Sequence, residues 1–292
     1  LKEEGMLNIE INVAHINHMI RKNAILDEEY VKKYCEKYNF KLYIKHAEVL
    51  KIASDTKKGV EETGRKVRYD FFEQVLNETS SNKIAIAHNS NDNAETVIMN
   101  LIRGSAISGL KGIEPKREEK YIRPLIDCER SQIEKYCEEN NLNPRIDESN
   151  FENEYTRNKI RNICIPYIKK EFNPNIINTI KRLSETVSEE ENYMQEQTIK
   201  AYNNLIISES KEEIELNLKE FIKQEKVIKR RLVLYTITKL QGNCLGIQKV
   251  NIEDIVDMCD KNIGNKYIMP NKNIKVMLKS KNLFFSINNL EI

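Results

Sequence analysis

Residues 7–15, LNIEINVAH, alternate apolar and polar side chains and are rich in Ile and Val, the period-two pattern of a strand. From 24 to 38 the period lengthens: Ile25, Tyr30, Val31, Tyr34, Cys35 and Tyr38 recur at helical spacing. FKLYIKH then predicts a second strand, Val60 to Leu76 a helix, KIAIAH a strand, and Asp92 to Leu101 a further helix. Strands alternating with helices predict an α/β fold, a parallel sheet with helices on both faces. Ligands of such sheets sit beyond the carboxyl ends of the strands.

After the glycine-punctuated loop RGSAISGLKGIEP, YIRPL reads as a short extended segment and ERSQIEKYCEENN as a helix with Asp127 before it as a cap. From Tyr155 onward the pattern is helical, through TRNKIRNICIPYIKK and the long run NIINTIKRLSETVSEEENYMQEQTIKAYNNLI. Phe172-Asn-Pro174 interrupts it, which places a boundary near 172. The expected organisation is an α/β domain over 1–172, a connecting helix over 173–210 and a mainly helical domain over 211–292 that closes on the short strands YIMP and LFFSI.

Composition narrows the setting more than the function. At 292 residues the chain has room for one large domain or two. A net charge of +2 leaves only local clustering as a guide to partners. The six cysteines form no C-x-x-C pair, which disfavours a zinc ribbon, a redox motif or a disulfide scaffold and fits a reducing cytoplasm. No apolar run approaches the roughly 18 residues of a membrane span. The chain opens on Leu1 and LKEEG reads as a helix ending at Gly5, so a segment upstream is expected.

Four stretches carry candidate chemistry. In AHNSNDNAET, Asp92 and Glu95 stand three apart on a helix that follows a strand, so both carboxylates share one face. Asn91 or Asp92 can equally serve only as the helix cap, with Glu95 complementing the dipole. In HINHMIR, His15 falls at a strand end, where it lines a ligand crevice or is a solvated polar residue; a metal cluster with His18 and His88 is the lesser alternative, since residues three apart on a strand face opposite sides unless the strand ends between them. Arg65 and Arg68 in VEETGRKVRYDFF point one way from a helix, toward phosphates or, for Arg65, toward Glu61. Arg157 and Arg161, one helical turn apart, lead into Lys169 and Lys170 with Tyr155 and Tyr167 interleaved, a basic patch suited to a phosphodiester backbone or a solvated face.

Taken in order, HINHMIR, EETGRKVRYDFF, AHNSNDNAETVIMNLIRGSAISGLKGI, IRPLI and DESNFENEYTRNKIRNICIPYI closely resemble the bacterial tRNA(Ile)-lysidine synthetases from about residue 8 to 185. The resemblance implies an ATP-pyrophosphatase domain, of the adenine-nucleotide alpha-hydrolase-like kind, that adenylates the wobble cytidine of a CAU-anticodon tRNA(Ile). Free L-lysine then displaces AMP to give lysidine, with Mg2+ on the ATP phosphates. It implies Asp92 and Glu95 for the lysine, His15 and Arg68 for ATP, and Asp92 and Arg65 at the reaction. Arg157, Arg161, Lys169 and Lys170 fall to the tRNA, 211–292 to tRNA or substrate binding, and no metal ligand is named. The protein is expected in the cytoplasm and off the membrane, with room for a homodimer.

Two departures from the resemblance stand out. The SGGxDS pyrophosphate loop of the family is not in the chain, and the paired acids before AET are represented by Asn91 and Asp92. The expectation is a truncated enzyme that handles ATP poorly, or a catalytically dead tRNA-binding module that keeps the fold. A sulfur-transferring relative would call for C-x-x-C cluster ligands, which are missing.

Overall fold

The computed structural model describes residues 9–21, 23–145, 153, 155–262, 264 and 266–288. The expected helix end at Gly5 and the DESN stretch at 147–150 lie outside them. Two compact units divide between Glu185 and Thr186, whereas the sequence places its change of character near 172. Among the described residues no helix is long and apolar enough to cross a membrane.

The first unit alternates as its pattern predicts. Strand β1 (Asn12–Asn17), helix α1 (Ala24–Lys37) and strand β2 (Lys41–His46) form a parallel unit in which His15 lies opposite Ile44. Helices α2 (Val49–Thr56) and α3 (Val60–Glu78) lead to β3 (Ile84–Ala85) and α4 (Ser90–Ile102). The short α5 (Ile107–Leu110), β4 (Lys116–Arg117) and β5 (Tyr121–Ile122) complete a three-stranded sheet ordered β3-β5-β4, with β3 parallel to β5.

Two caps differ from expectation. Helix α4 starts at Ser90 because Asn89 is its cap: Asn89 Oδ1 accepts from Asp92 N at 3.0 Å, and Asp92 Oδ2 accepts from Asn89 N at 3.1 Å. Of the neighbouring small polar residues, Asn89 alone has both the extended backbone of a cap and this reciprocal pair. Helix α6 (Arg130–Glu139) is capped by Glu129, whose N–H donates to Gln132 Oε1 at 2.7 Å, and Asp127 pairs instead with Lys181 at 2.7 Å.

Helix α7 (Thr156–Lys159) passes through a π-helical turn, Ile160–Cys164, into α8 (Ile165–Glu171). The wide turn, in which Ile165 N–H donates to the Ile160 carbonyl, comes just before Pro166. Proline offers no N–H to the turn behind it and its ring crowds the carbonyl four residues back, so a widened turn relieves both problems. Ile160 and Ile165 then pack with Ala94, Val97 and Ile98 of α4 and with Ile177 and Ile180 at the start of α9 (Ile176–Leu205). This apolar cluster presses the Arg157–Arg161 segment onto the first turns of α4.

The second unit departs most from the pattern. It holds α10 (Leu218–Ile222), α11 (Lys226–Gln241) and α12 (Lys249–Asp260). Its five strands are β6 (Ile206–Glu209), β7 (Glu213–Asn217), β8 (Tyr267–Asn271), β9 (Ile274–Lys279) and β10 (Asn282–Ile287). They form one antiparallel sheet ordered β6-β7-β10-β9-β8. Helices carry most of the core of this expected mainly helical domain, but a sheet supplies seven of its eighteen buried apolar residues among those described: Ile214, Leu216, Ile274, Val276, Leu278, Leu283 and Phe285 pack with helix residues such as Leu232, Val233 and Ile255. The strands near YIMP and LFFSI are the two that the sequence anticipates.

Candidate functional site

Four charged side chains meet at the first turns of α4. Arg157 Nε donates to Glu95 Oε2 at 2.9 Å and its Nη2 to Asp92 Oδ1 at 3.0 Å. Arg161 grips Glu95 with two nitrogens, Nε to Oε1 at 2.6 Å and Nη2 to Oε2 at 2.8 Å, and reaches Asp92 Oδ1 at 3.3 Å. The Arg161–Glu95 contact is the bidentate fork that planar guanidinium and carboxylate favour. Hydrogen bonding to Glu95 raises the Arg161 pKa further. Glu95 keeps 2 % of its side-chain surface and Asp92 17 %, so Asp92 is the more open of the two acids, beside Arg157 at 30 %.

The backbone around the quartet is fixed from several sides. Ser90 N and Oγ both donate to the Cys128 carbonyl at 2.9 Å, and Arg130 N donates to Asn91 Oδ1 at 3.0 Å. Buried Asn93 accepts from Ile113 N at 2.7 Å. Gly112 is required beside it: its φ is +65°, and a Cβ there would stand 2.0 Å from Asn93 Oδ1.

His88, at the end of the β3 segment, joins this corner. Its Nδ1 accepts from Arg123 Nε at 3.1 Å, and buried Arg123 also donates to the Glu114 carbonyl. Burial pushes the His88 pKa down to about 4; Asp92 opposes the shift, while Arg123, Arg157 and Arg65 add to it. The ring is therefore neutral near pH 7. Because Nδ1 is an acceptor, the proton resides on Nε2, which makes His88 a hydrogen-bond donor rather than a base at that atom. Its tautomer follows from the Arg123 contact.

The remaining sequence candidates separate. Arg65 makes no ion pair with Glu61 among the described residues; its guanidinium lies 4.9 Å from the Tyr69 ring centroid, and its charge is felt at His88. Arg68 reaches His18 Nε2 at 3.3 Å. His15 faces the α1 side of β1, where burial lowers its pKa against the opposing charges of Glu28 and Asp27. Glu28 is held by Lys32 at 2.8 Å, His46 at 2.7 Å and Asn17 at 3.3 Å. Lys169 and Lys170 lie on α8 beside exposed Tyr167 and Phe172, and Lys170 pairs with Glu171 at 3.0 Å. Arg157 and Arg161, expected to hold tRNA or to brace the domain against it, direct their guanidinium donors at Asp92 and Glu95. The sequence gives Arg123 no site role and offers His88 only as a third histidine beside His15 and His18; the signal for the pair is their place in AHN and IRPLI.

The shifted histidine sets a pH dependence. Between its ordinary 6.5 and about 4, the unfolded chain takes up a proton at His88 that the folded chain refuses. Stability from this group is thus intact above that window and falls as the pH drops through it. His88→Gln is expected to flatten the fall, read as urea midpoints across pH 7 to 4. An unchanged profile would remove His88 as a source of the acid sensitivity.

These features define a class before any particular relative. Residues 1–168 match the PP-loop domain family, and the chain belongs to it. Among curated proteins, it is 43 % identical to the tRNA(Ile)-lysidine synthase of Clostridium acetobutylicum over 92 % of this chain and 58 % of that protein. It is 39 % identical to the protein of the same name from Clostridioides difficile, over 96 % of this chain and 61 % of the relative. With the bifunctional protein TilS/HprT of Listeria monocytogenes it shares 36 % identity over 90 % of this chain and 41 % of the other. The chain thus spans a little over half the length of the lysidine synthases it matches. Among solved structures, the U34-tRNA thiolase NcsA from Methanococcus maripaludis, determined with its [4Fe-4S] cluster, shares the fold. The TM-score is 0.53 at 21 % identity, covering 64 % of this chain and 65 % of that one.

Proposed function

We propose that this chain carries the catalytic unit of a tRNA(Ile)-lysidine synthase. The observation behind the reading is the Asp92–Glu95–Arg157–Arg161 quartet at the start of α4, beside a neutral His88. The identity to curated lysidine synthases supports it. In the reaction, the wobble cytidine oxygen attacks the α-phosphorus of ATP and pyrophosphate leaves. The amino group of lysine then forms the new C–N bond at the activated carbon, and AMP departs with the former carbonyl oxygen.

Within that scheme the residues divide their work by exposure. Asp92, reachable from solvent, receives the lysine ammonium, and the sealed Glu95 holds the two guanidiniums that keep Asp92 in place. His88 Nε2–H and Arg65 face the oxygen-rich side of the adenylate, with Arg68 and His15 further along the same edge. Lys169 and Lys170, with Tyr167 and Phe172, are the tRNA contacts on α8. For Arg157 and Arg161, the geometry favours bracing the acids over lying on the phosphodiester.

ATP is a substrate of this scheme. Magnesium does not fit the described residues: no group of three or more His, Cys, Asp or Glu side chains converges among them. No step is assigned to it.

The test is transfer of labelled lysine to a tRNA(Ile) transcript with a CAU anticodon. Label that requires ATP and disappears when the anticodon is changed is the expected result. Binding of the tRNA with no transfer would overturn the catalytic reading in favour of a binding module.

A further inference from the structure

The second unit presents a surface with no part in that chemistry. From residue 261 to 288 the chain has six lysines and no carboxylate. Most of this stretch is the β8-β9-β10 part of the sheet. Ile274, Val276, Leu278, Leu283 and Phe285 are turned into the core, so the alternate residues Lys275, Met277, Lys279 and Phe284 stand on the outer face.

Register aligns them. Tyr267, Met277 and Phe284 are cross-strand neighbours in a row over three strands, Tyr267 55 % exposed and Met277 and Phe284 half-buried. Lys275 flanks the row on one side, its ammonium 4.7 Å from the Tyr267 ring centroid, and Lys279 flanks it on the other, opposite Asn282. The two-residue turn Ser280–Lys281, with φ of 52° and 66°, adds a further lysine at the rim. Among the described residues, Lys266, Lys272, Lys275 and Lys279 have no carboxylate partner. Glu215, on β7 beyond Phe284, is the nearest acid in register, and it is engaged by Asn282 at 2.7 Å and Ser208 at 3.2 Å.

We propose that the outer face of β8-β9-β10 binds RNA through unpaired nucleotides, with bases stacked along Tyr267, Met277 and Phe284 and phosphates on Lys275 and Lys279. Sheets with solvent-facing aromatics are stacking platforms, and splayed bases need such faces where duplex RNA does not. An acidic protein segment would use the lysines and leave the aromatic row without a role. The proposal rests on the tRNA reading above only in its biological setting, because its probe is not a tRNA.

The test uses the full chain and a labelled 15-nucleotide single-stranded RNA of mixed sequence, compared with the same strand in a blunt duplex. The single strand is expected to bind more tightly. Lys275→Ala with Lys279→Ala should lower the slope of log affinity against log salt by about 1.4, from roughly 0.7 per phosphate on a single strand. Tyr267→Ala should weaken binding about tenfold and Tyr267→Phe restore it, since the ring face is what stacks. All three variants change solvent-facing groups, so thermal midpoints should hold. Unchanged affinity and salt slope in the variants, equal displacement by polyglutamate, or no RNA binding at all would overturn the proposal. Lysine transfer to tRNA by variants that bind RNA as the parent does would sink the face and leave the catalytic reading standing. Loss of RNA binding in the variants of a chain that transfers no lysine would do the reverse.

Discussion

Glu95→Gln is expected to destabilise the first unit by about 3–5 kcal/mol, the cost typical of breaking a buried ion pair from one side. Glu95 is 2 % exposed and accepts from both Arg157 and Arg161. The amide keeps the volume and removes the charge, leaving two guanidiniums to share Asp92. The lower half of that range is the better expectation, because Arg157 keeps 30 % of its side-chain surface in water. Urea unfolding followed by a probe in the first unit measures it. A loss below about 1 kcal/mol, the scale of an exposed pair, would show that the quartet does not hold the α7–α8 segment against α4. Arg161→Lys should recover little, since an ammonium cannot reproduce the two-nitrogen grip on Glu95.

The second large effect falls on activity. Asp92→Asn should lower lysine transfer by one to two orders of magnitude while the fold persists. A hydrogen bond to a charged group contributes about 1.5–3 kcal/mol, and each 1.36 kcal/mol is tenfold in rate. Asparagine retains an oxygen for the Asn89 N–H, so the α4 cap survives where alanine would cost about 0.5–2 kcal/mol. The loss should appear at subsaturating lysine and leave tRNA affinity alone. Undiminished transfer would remove Asp92 from the lysine site, and a parallel fall in tRNA affinity would make its role structural.

The two effects differ because neighbouring carboxylates on one helix have different surroundings. Asp92 divides its oxygens between the cap and the arginines, at the edge of solvent. Glu95, one turn deeper, is buried and held by Arg157 and Arg161. A capped helix and a functional corner were alternatives in the sequence; in the structure Asp92 completes the cap and also pairs with Arg157 and Arg161.

Local periodicity and end signals were enough to place β1, α1, β2, α3, α4 and the long α9, because each is specified by its own alternation or helical spacing. The start of α4 slipped by one or two residues, since Asn89, Ser90, Asn91 and Asp92 all favour caps and only backbone geometry selects among them. In the second unit, β6, β7 and β9 were hidden. Their residues are short, lysine- and glutamate-rich runs whose strand form depends on cross-strand partners, such as Leu278 opposite Leu283 and, far apart in the chain, Leu283 opposite Leu216.

The candidate site divides along the same line. By itself the sequence determined the helix-borne acids, the order of strands and helices around them, and the motif resemblance, all of which rest on spacing within a few residues. Only the tertiary structure decided which charges face one another. Arg157 and Arg161 meet Glu95 across 62 and 66 residues, and Arg123 meets His88 across 35. The Arg157 and Arg161 pairings follow from apolar packing of α4 against Ile160, Ile165 and Ile177, and that of Arg123 from β3 running parallel to β5. Burial does not read charge spacing from the chain; it brings remote segments together first, and desolvated charges then require the partners that the packing has placed beside them.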